Sequence, residues 1–159
     1  MSFLSHLTLD TPLALYSIPI AFFIGLAPHV HKIALLERSG VRVDNRSPRS
    51  ATTTAEKKGL PTPLLRKVDR LASAHQNAHE NFPVFVAAIL GGLVAGMEAR
   101  ELNVFAGSYL ALRVVYNFAY ANQTTQAIAG VRSLAFWSAT LWAMYVLLSA
   151  GNLMAKKGL

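Results

Sequence analysis

The chain has 159 residues, of which 53% are hydrophobic and only 14% are charged. Soluble domains carry about 25% charged residues, so this composition argues against an ordinary soluble protein, and the absence of cysteine excludes disulfides and a protein thiol nucleophile. The net charge is +7, but ten of the fifteen Lys and Arg lie between Lys32 and Arg70, beside apolar blocks. This clustering indicates a cytosolic loop rather than a nucleic-acid partner, for which the sequence shows no motif.

The long apolar blocks predict an all-α integral membrane protein, a four-helix bundle that occupies residues 1–159 as a single domain. In chain order, the predicted spans cover about residues 12–36, 64–97, 102–121 and 128–153. Residues 37–63 form the basic loop, which we expect on the cytosolic side, so that both termini face the lumen or the exterior.

The second predicted helix carries a polar face that runs into its apolar part. Arg70, Ser73, Asn77 and Glu80 are spaced three, four and three residues apart and therefore share a helix face. No charged residue follows until after Met97. Because polar groups at the edge of an apolar helix are costly in lipid unless something polar meets them, the pattern predicts a polar site inside the bundle.

The last two spans place further polar side chains at the same depth. Arg113, Tyr116 and Tyr120 are spaced three and four apart near the cytosolic end of the third span. Arg132 and Ser133 lie in the first turns of the fourth span. These groups are predicted to form one layer with Asn77 and Glu80 on the cytosolic side.

Each of these groups also has a purely structural interpretation. Arg113 could form a buried ion pair with Glu80, as charges within a membrane usually pair. Tyr116 and Tyr120 could be interfacial aromatic residues, and Arg132 could be a juxtamembrane cation.

Two pairs of residues stay ambiguous at this level. His75 and His79 have the i, i+4 spacing of metal ligands, but no third ligand is suitably spaced, so no metal site is predicted. Lys156 and Lys157 near the C-terminus fit either a dilysine retrieval signal or two solvated lysines.

The predicted layer of polar side chains has the charges and hydrogen-bonding groups that would bind a small zwitterionic peptide. Glu80 and Asn77 would meet its amine or amide groups, and the arginines would bind its carboxylates in bidentate fashion. An apolar co-substrate could then arrive from the lipid.

Several segments resemble the family of membrane-associated proteins in eicosanoid and glutathione metabolism (MAPEG). The second-helix pattern is the specific one, and the Asp44–Arg49 loop is similar to that of fungal members. The matching positions are Asp69-Arg70, Ala74-His75-Gln76-Asn77-Ala78-His79-Glu80, Phe82-Pro83-Val84-Phe85, then Arg113, Tyr116 and Tyr120, and finally Arg132-Ser133.

The resemblance implies a homotrimer in the endoplasmic reticulum membrane that binds glutathione between neighbouring protomers, open to the cytosol. It implies a glutathione transferase or peroxidase activity on a lipophilic electrophile, with Arg132 or Ser133 stabilising the thiolate. The implied glutathione ligands are Arg70, Asn77, Glu80, Arg113, Tyr116 and Tyr120.

Two alternatives and one uncertain position accompany this interpretation. The chain could be a non-enzymatic lipid-binding member, or a pathway-specific isomerase or transferase in the synthesis of lipophilic metabolites. Some members use an arginine at the end of the first span, where this chain has His29, His31 and Lys32.

Overall fold

The computed structural model describes residues 8–44, 46–47 and 51–158, and within this part of the chain it is all-helical. In these ranges, a short 3-10 helix (Ala14–Tyr16) leads into the first of five α-helices. The α-helices are α1 (Ser17–Arg38), α2 (Ala51–Lys57), α3 (Thr62–Ala95), α4 (Ala99–Asn122) and α5 (Gln126–Lys156). The all-α prediction therefore holds.

The four long helices overlap the residue ranges of the four predicted spans, and the largest difference lies in the predicted loop 37–63. Helix α1 continues to Arg38, and the loop contains α2. Helix α2 is stabilised by packing, because Ala55 is fully buried against Leu36, Val41 and Val68. Residue 45 and residues 48–50 lie outside the described residues, and all of these except residue 50 belong to the loop similar to fungal members.

Three of the helical segments are long and apolar enough to cross a membrane: Ala14–Arg38, Thr62–Ala95 and Gln126–Lys156. Helix α4 is long enough but is not apolar enough to be counted with these three, because Asn103, Arg113 and Asn117 interrupt its apolar residues. The chain is thus an integral membrane protein, and the crossing by α4 stays a prediction.

Helix α3 lies at the centre of the bundle and contacts α1, α2, α4 and α5. The main core lies between α3, α4 and α5, where Phe85 stacks on Tyr109 with ring centroids 4.1 Å apart. Phe105 completes this aromatic group at 5.7 Å from Phe85. The core holds the middle of α3 and α4 in register and thereby sets the height of the polar residues on both.

Two hydrogen-bonded contacts close the end of the bundle away from the basic loop. The Asn103 amide nitrogen donates to the carbonyl oxygens of Leu9 and Thr11, both at 2.6 Å. Lys157 Nζ donates to the Ala95 carbonyl at the C-terminus of α3, at 2.8 Å, where a cation complements the helix dipole. Lys157 is therefore exposed but also hydrogen-bonded to the protein.

Gly92 allows the close approach of α3 and the start of α4. A Cβ atom at Gly92 would lie 2.5 Å from Leu102 Cδ2 and 3.2 Å from Met97 Sδ, and the Leu102 side chain is fully buried.

We expect Gly92→Ala to destabilise the folded protein by about 1–3 kcal/mol through overpacking, measured by thermal unfolding in detergent. Gly91→Ala is the matched control, because its Cβ would lie 3.6 Å from Leu147 Cδ2, an ordinary contact. Equal unfolding temperatures for both variants would contradict this explanation.

Pro28 leaves a gap in the hydrogen bonding of α1 that a neighbouring helix fills. Proline has no N–H, so the carbonyl of Ile24 loses its donor in the next turn. The Asn117 amide of α4 donates to that carbonyl at 2.8 Å. The next carbonyl, Gly25, lies 3.0 Å from Nδ1 of His75 on α3. Side chains of α4 and α3 therefore bond to carbonyl groups of α1 near Pro28 and connect α1 to both neighbouring helices.

A double-mutant cycle tests the bond that fills this gap. Asn117→Ala is expected to lower the unfolding free energy by about 1 kcal/mol in the wild-type background. In a Pro28→Ala background the loss should be smaller, because the substitution restores a backbone N–H that can bond to the Ile24 carbonyl. Equal losses in the two backgrounds, measured by unfolding in micelles, would show that the two residues are not coupled.

Candidate functional site

Arg113 is buried in the bundle, with only 3% of its surface exposed. Its Nε donates to Tyr109 Oη at 3.0 Å, and one terminal nitrogen donates to Asn77 Oδ1 at 3.4 Å. Its guanidinium carbon lies 5.1 Å from the ring centroid of Tyr109 and 5.6 Å from that of Tyr116, within cation–π range. The second terminal nitrogen is buried without a partner among the described residues.

The proposed ion pair between Arg113 and Glu80 does not form. Throughout the described ranges, the one acid–base contact within 4.0 Å joins Arg46 to Asp44 in the loop. The aromatic rings and the Asn77 carboxamide take the place that a carboxylate was expected to occupy. The Arg113 charge is thus solvated by π faces and hydrogen-bond acceptors rather than by a counter-ion.

A cavity of about 300 Å³ opens between α4 and α5, and we call it the α4/α5 cavity. It brings together residues from three helices at one depth, as the spacing argument predicts. The lining residues are Asn77, Tyr116, Tyr120, Arg132, Ser133, Phe136 and Trp137.

Arg132 is held in a defined orientation beside this cavity. One terminal nitrogen donates to Gln123 Oε1 at 2.7 Å, and the other lies 3.4 Å from Ser133 Oγ. The guanidinium carbon lies 4.9 Å from the ring centroid of Tyr120. A guanidinium carries five N–H groups, so these contacts leave further donors for a ligand. Helix α5 begins just after Thr125, whose side chain accepts from the Ile128 N–H, and this cap places Arg132 two turns inside.

Glu80 borders a different and larger cavity, of about 850 Å³, on the side of α1. We call it the α1/α3 cavity. The Glu80 side chain is exposed and accepts a hydrogen bond from the Gln76 amide at 3.0 Å. The other lining residues are His29, Lys32, Thr52, Ala72, His75, Gln76 and His79. The predicted single layer is therefore divided, with Asn77 on one side of α3 and Glu80 on the other.

Arg70 and the residues at the end of the first span lie at different places in the bundle. Arg70 lines neither cavity, and its Nε is buried without a partner within the part of the chain described. His29 and Lys32 line the α1/α3 cavity, whereas His31 lies on the outer face of α1. The structure thus places His29 and Lys32, but not His31, at the α1/α3 cavity, a distinction that the sequence could not make.

A histidine cluster lies in the α1/α3 cavity. The His75 ring centroid is 4.9 Å from that of His29 and 4.4 Å from that of His79. In the residues the structure covers, no three His, Cys, Asp or Glu side chains are placed to hold a metal ion. The three imidazole rings supply polar and aromatic surface to the α1/α3 cavity.

Some residues that line these cavities or contact a lining residue were not predicted from the sequence. Thr52 was missed because it lies on α2, inside the predicted loop, and Gln123 because a turn glutamine has no distinguishing pattern. Ala72 could have been found, since it stands four residues before Gln76, a position of the second-helix pattern, on the face that also carries Glu80. Phe136 and Trp137 carry no signal that separates cavity lining from lipid contact.

The fold and these cavities define the class of the protein: an all-helical integral membrane protein with polar cavities inside its bundle. The model of the MAPEG family matches residues 13–152. The chain therefore belongs to the MAPEG family, and the resemblance inferred from its second-helix pattern is confirmed. No curated protein and no solved structure matches the chain.

Proposed function

We propose that the chain is a membrane-bound glutathione-dependent transferase or peroxidase that activates the glutathione thiol for attack on a lipophilic electrophile. The observation that supports this proposal is the Arg132 guanidinium, oriented by Gln123, Ser133 and the Tyr120 ring beside a cavity. A thiol of this kind has an ordinary pKa of about 8.5 and reacts as its thiolate. A nearby cation favours the charged form and so lowers that pKa.

The roles of the remaining residues follow from their charges. The glutathione carboxylates would bind Arg70 and Arg113, each of which has one buried guanidinium nitrogen without a partner among the described residues, and its amino group would bind Glu80. Asn77, Tyr116 and Tyr120 would supply hydrogen bonds along the peptide. In the transferase reaction, the thiolate sulfur forms a bond to the electrophilic carbon, and either a leaving group departs or the new carbanion or alkoxide takes up a proton.

A ligand that contacts both Glu80 and Arg132 has to reach two cavities that α3 separates within one chain. We therefore propose a homotrimer in which the α1/α3 cavity of one copy faces the α4/α5 cavity of the next. In this arrangement α4 is the fourth crossing helix, residues 37–63 face the cytosol, and the membrane is that of the endoplasmic reticulum. The cation-rich segment between Lys32 and Arg70 supports this orientation.

The alternative of a non-enzymatic lipid-binding protein has one observation in its favour. A groove of about 400 Å³ between the N-terminal segment and α4 is lined mainly by apolar side chains, among them Leu9, Leu13, Ile20 and Leu110. Such a groove accommodates a lipophilic molecule without any chemistry. A pathway-specific isomerase or transferase would share the glutathione site and differ only in its electrophile.

Two measurements on detergent-purified protein separate these functions. Isothermal titration detects glutathione binding, and a conjugation assay with a chloro-nitrobenzene acceptor detects general transferase activity. Binding together with conjugation supports the proposal, whereas binding without conjugation favours a pathway-specific enzyme. Absence of glutathione binding would contradict the proposal and favour the lipid-binding alternative.

A further inference from the structure

The outer face of α1 carries a groove that neither proposed site uses. The groove has a volume of about 480 Å³ and is apolar over most of its length. Phe23 and Val30 are 66% and 58% exposed, and Arg38 lies at the other end, as the last residue of the helix. The full lining is Phe23, Leu26, Ala27, Val30, His31, Ala34 and Arg38. From Phe23 to Arg38 the helix rises by about 22 Å, comparable with one leaflet of about 15 Å and its headgroup zone.

Beyond Arg38, the described residues of 39–44 and 51–68 fold back and form a compact basic cap. Gly40 has a φ of 76°, and the Val41 N–H bonds to the Leu36 carbonyl at 3.0 Å, which gives a Schellman turn. Val41 and Leu36 are both fully buried, in a small core with Ala55 and Val68. Lys58 Nζ donates to the Gly40 carbonyl at 2.7 Å and ties α2 to the same turn.

This cap presents cations that lack acidic partners. Arg38, Arg42, Lys57 and Arg66 are exposed, and none has a carboxylate within 4.0 Å in the described ranges. Of these, Arg38 lines the polar end of the α1 groove, and Arg42 follows it in the turn that Gly40 and Val41 form. A cationic end next to an apolar channel complements a phospholipid with an anionic headgroup. The negative headgroup meets the cations, and an acyl chain meets the apolar side chains.

We propose that the α1 groove and the basic cap bind an anionic phospholipid. Its phosphate contacts Arg38, with Arg42 contributing to the positive field, and one acyl chain lies along the groove from Ala34 to Phe23. The attraction of juxtamembrane cations to anionic lipid supplies the headgroup preference. The proposal does not depend on glutathione chemistry, because Arg38 and the apolar groove residues take no part in the glutathione site.

Native mass spectrometry of the full chain in detergent tests this site by titration with phosphatidylserine and, separately, phosphatidylcholine. Arg38→Gln should weaken phosphatidylserine binding about fivefold, the factor for one cation near an anionic surface, and weaken phosphatidylcholine binding by a smaller factor, because the choline cation offsets the charge of that lipid's phosphate. Arg38→Lys should keep the wild-type affinity. Arg100→Gln, an exposed arginine at the other end of the bundle, is the matched control and should have no effect. Ala27→Trp should reduce binding of both lipids by filling the groove.

Three results would overturn the proposal. Unchanged phosphatidylserine affinity in Arg38→Gln would remove the headgroup contact. Competition by water-soluble glycerophosphoserine would indicate an anion site without an acyl chain. A change of oligomer mass in Ala27→Trp would show that a second copy of the chain covers the groove.

Discussion

Glu80→Ala is expected to weaken glutathione binding strongly while leaving a folded oligomer. Glu80 is exposed, and its hydrogen bond comes from the neighbouring Gln76 amide, so the carboxylate is available to a ligand ammonium. Loss of a charged hydrogen bond of about 1.5–3 kcal/mol corresponds to roughly a 10- to 150-fold weaker affinity. The unfolding temperature should barely change, because exposed substitutions alter stability by about 0.5 kcal/mol or less.

Isothermal titration with glutathione measures this effect, and Glu98→Ala is the matched control. Glu98 is also an exposed carboxylate on the same chain, but it precedes α4 at the other end of the bundle. Its replacement should leave glutathione affinity unchanged. The same affinity in Glu80→Ala and in wild-type protein would rule out the role assigned to Glu80.

Arg132→Ala is expected to lower turnover more than it lowers glutathione affinity. Removal of an opposite charge beside the thiol should raise the pKa of the bound thiol by about 1–2 units, towards its ordinary value. At a pH below both pKa values, the thiolate fraction and hence turnover would fall by roughly 10- to 100-fold. Arg132→Lys keeps the charge but loses the two-pronged contact with Gln123 and Ser133, so it should recover only part of the activity.

The pH dependence of conjugation tests the same role by its sign. Thiolate attack makes the rate rise with pH through the pKa of the bound thiol, and Arg132 holds that pKa low. In Arg132→Ala the profile should move to higher pH by about 1–2 units, and the two enzymes should converge above the raised pKa. A profile that stays in place while KM alone increases would make Arg132 a binding residue instead. The exposed Arg100→Ala variant should match the wild type throughout.

The depth of the polar layer could be predicted because spacing along a helix converts directly into height. Asn77, Tyr116, Tyr120, Arg132 and Ser133 meet around one cavity because the length of each apolar segment sets where its polar residues lie. Rotation about the helix axis is harder to predict. Asn77 and Glu80 are three residues apart and therefore point about 60° apart, and the packing of α1 and α4 against α3 places them beside different cavities.

Helix α2 shows why the basic loop could not be predicted correctly. Its seven residues have no long apolar pattern, and it is held by contacts of Ala55 with Leu36, Val41 and Val68. Such contacts join residues far apart in sequence, so they cannot be predicted from the local periodicity of apolar residues. The bond from Asn117 to the Ile24 carbonyl is a similar case, since only the placement of α4 beside Pro28 reveals it.

By itself, the sequence determined that this is an all-helical membrane protein of the MAPEG family, where its long helices lie, and which polar groups share a height. These properties depend on composition, apolar length and helical period, all of which are local. The tertiary structure decided which polar groups face one another, why Arg113 pairs with aromatic rings instead of Glu80, and how the basic segment folds into a cap. Those outcomes depend on the rotation and packing of whole helices, and many distant contacts together set their free energy.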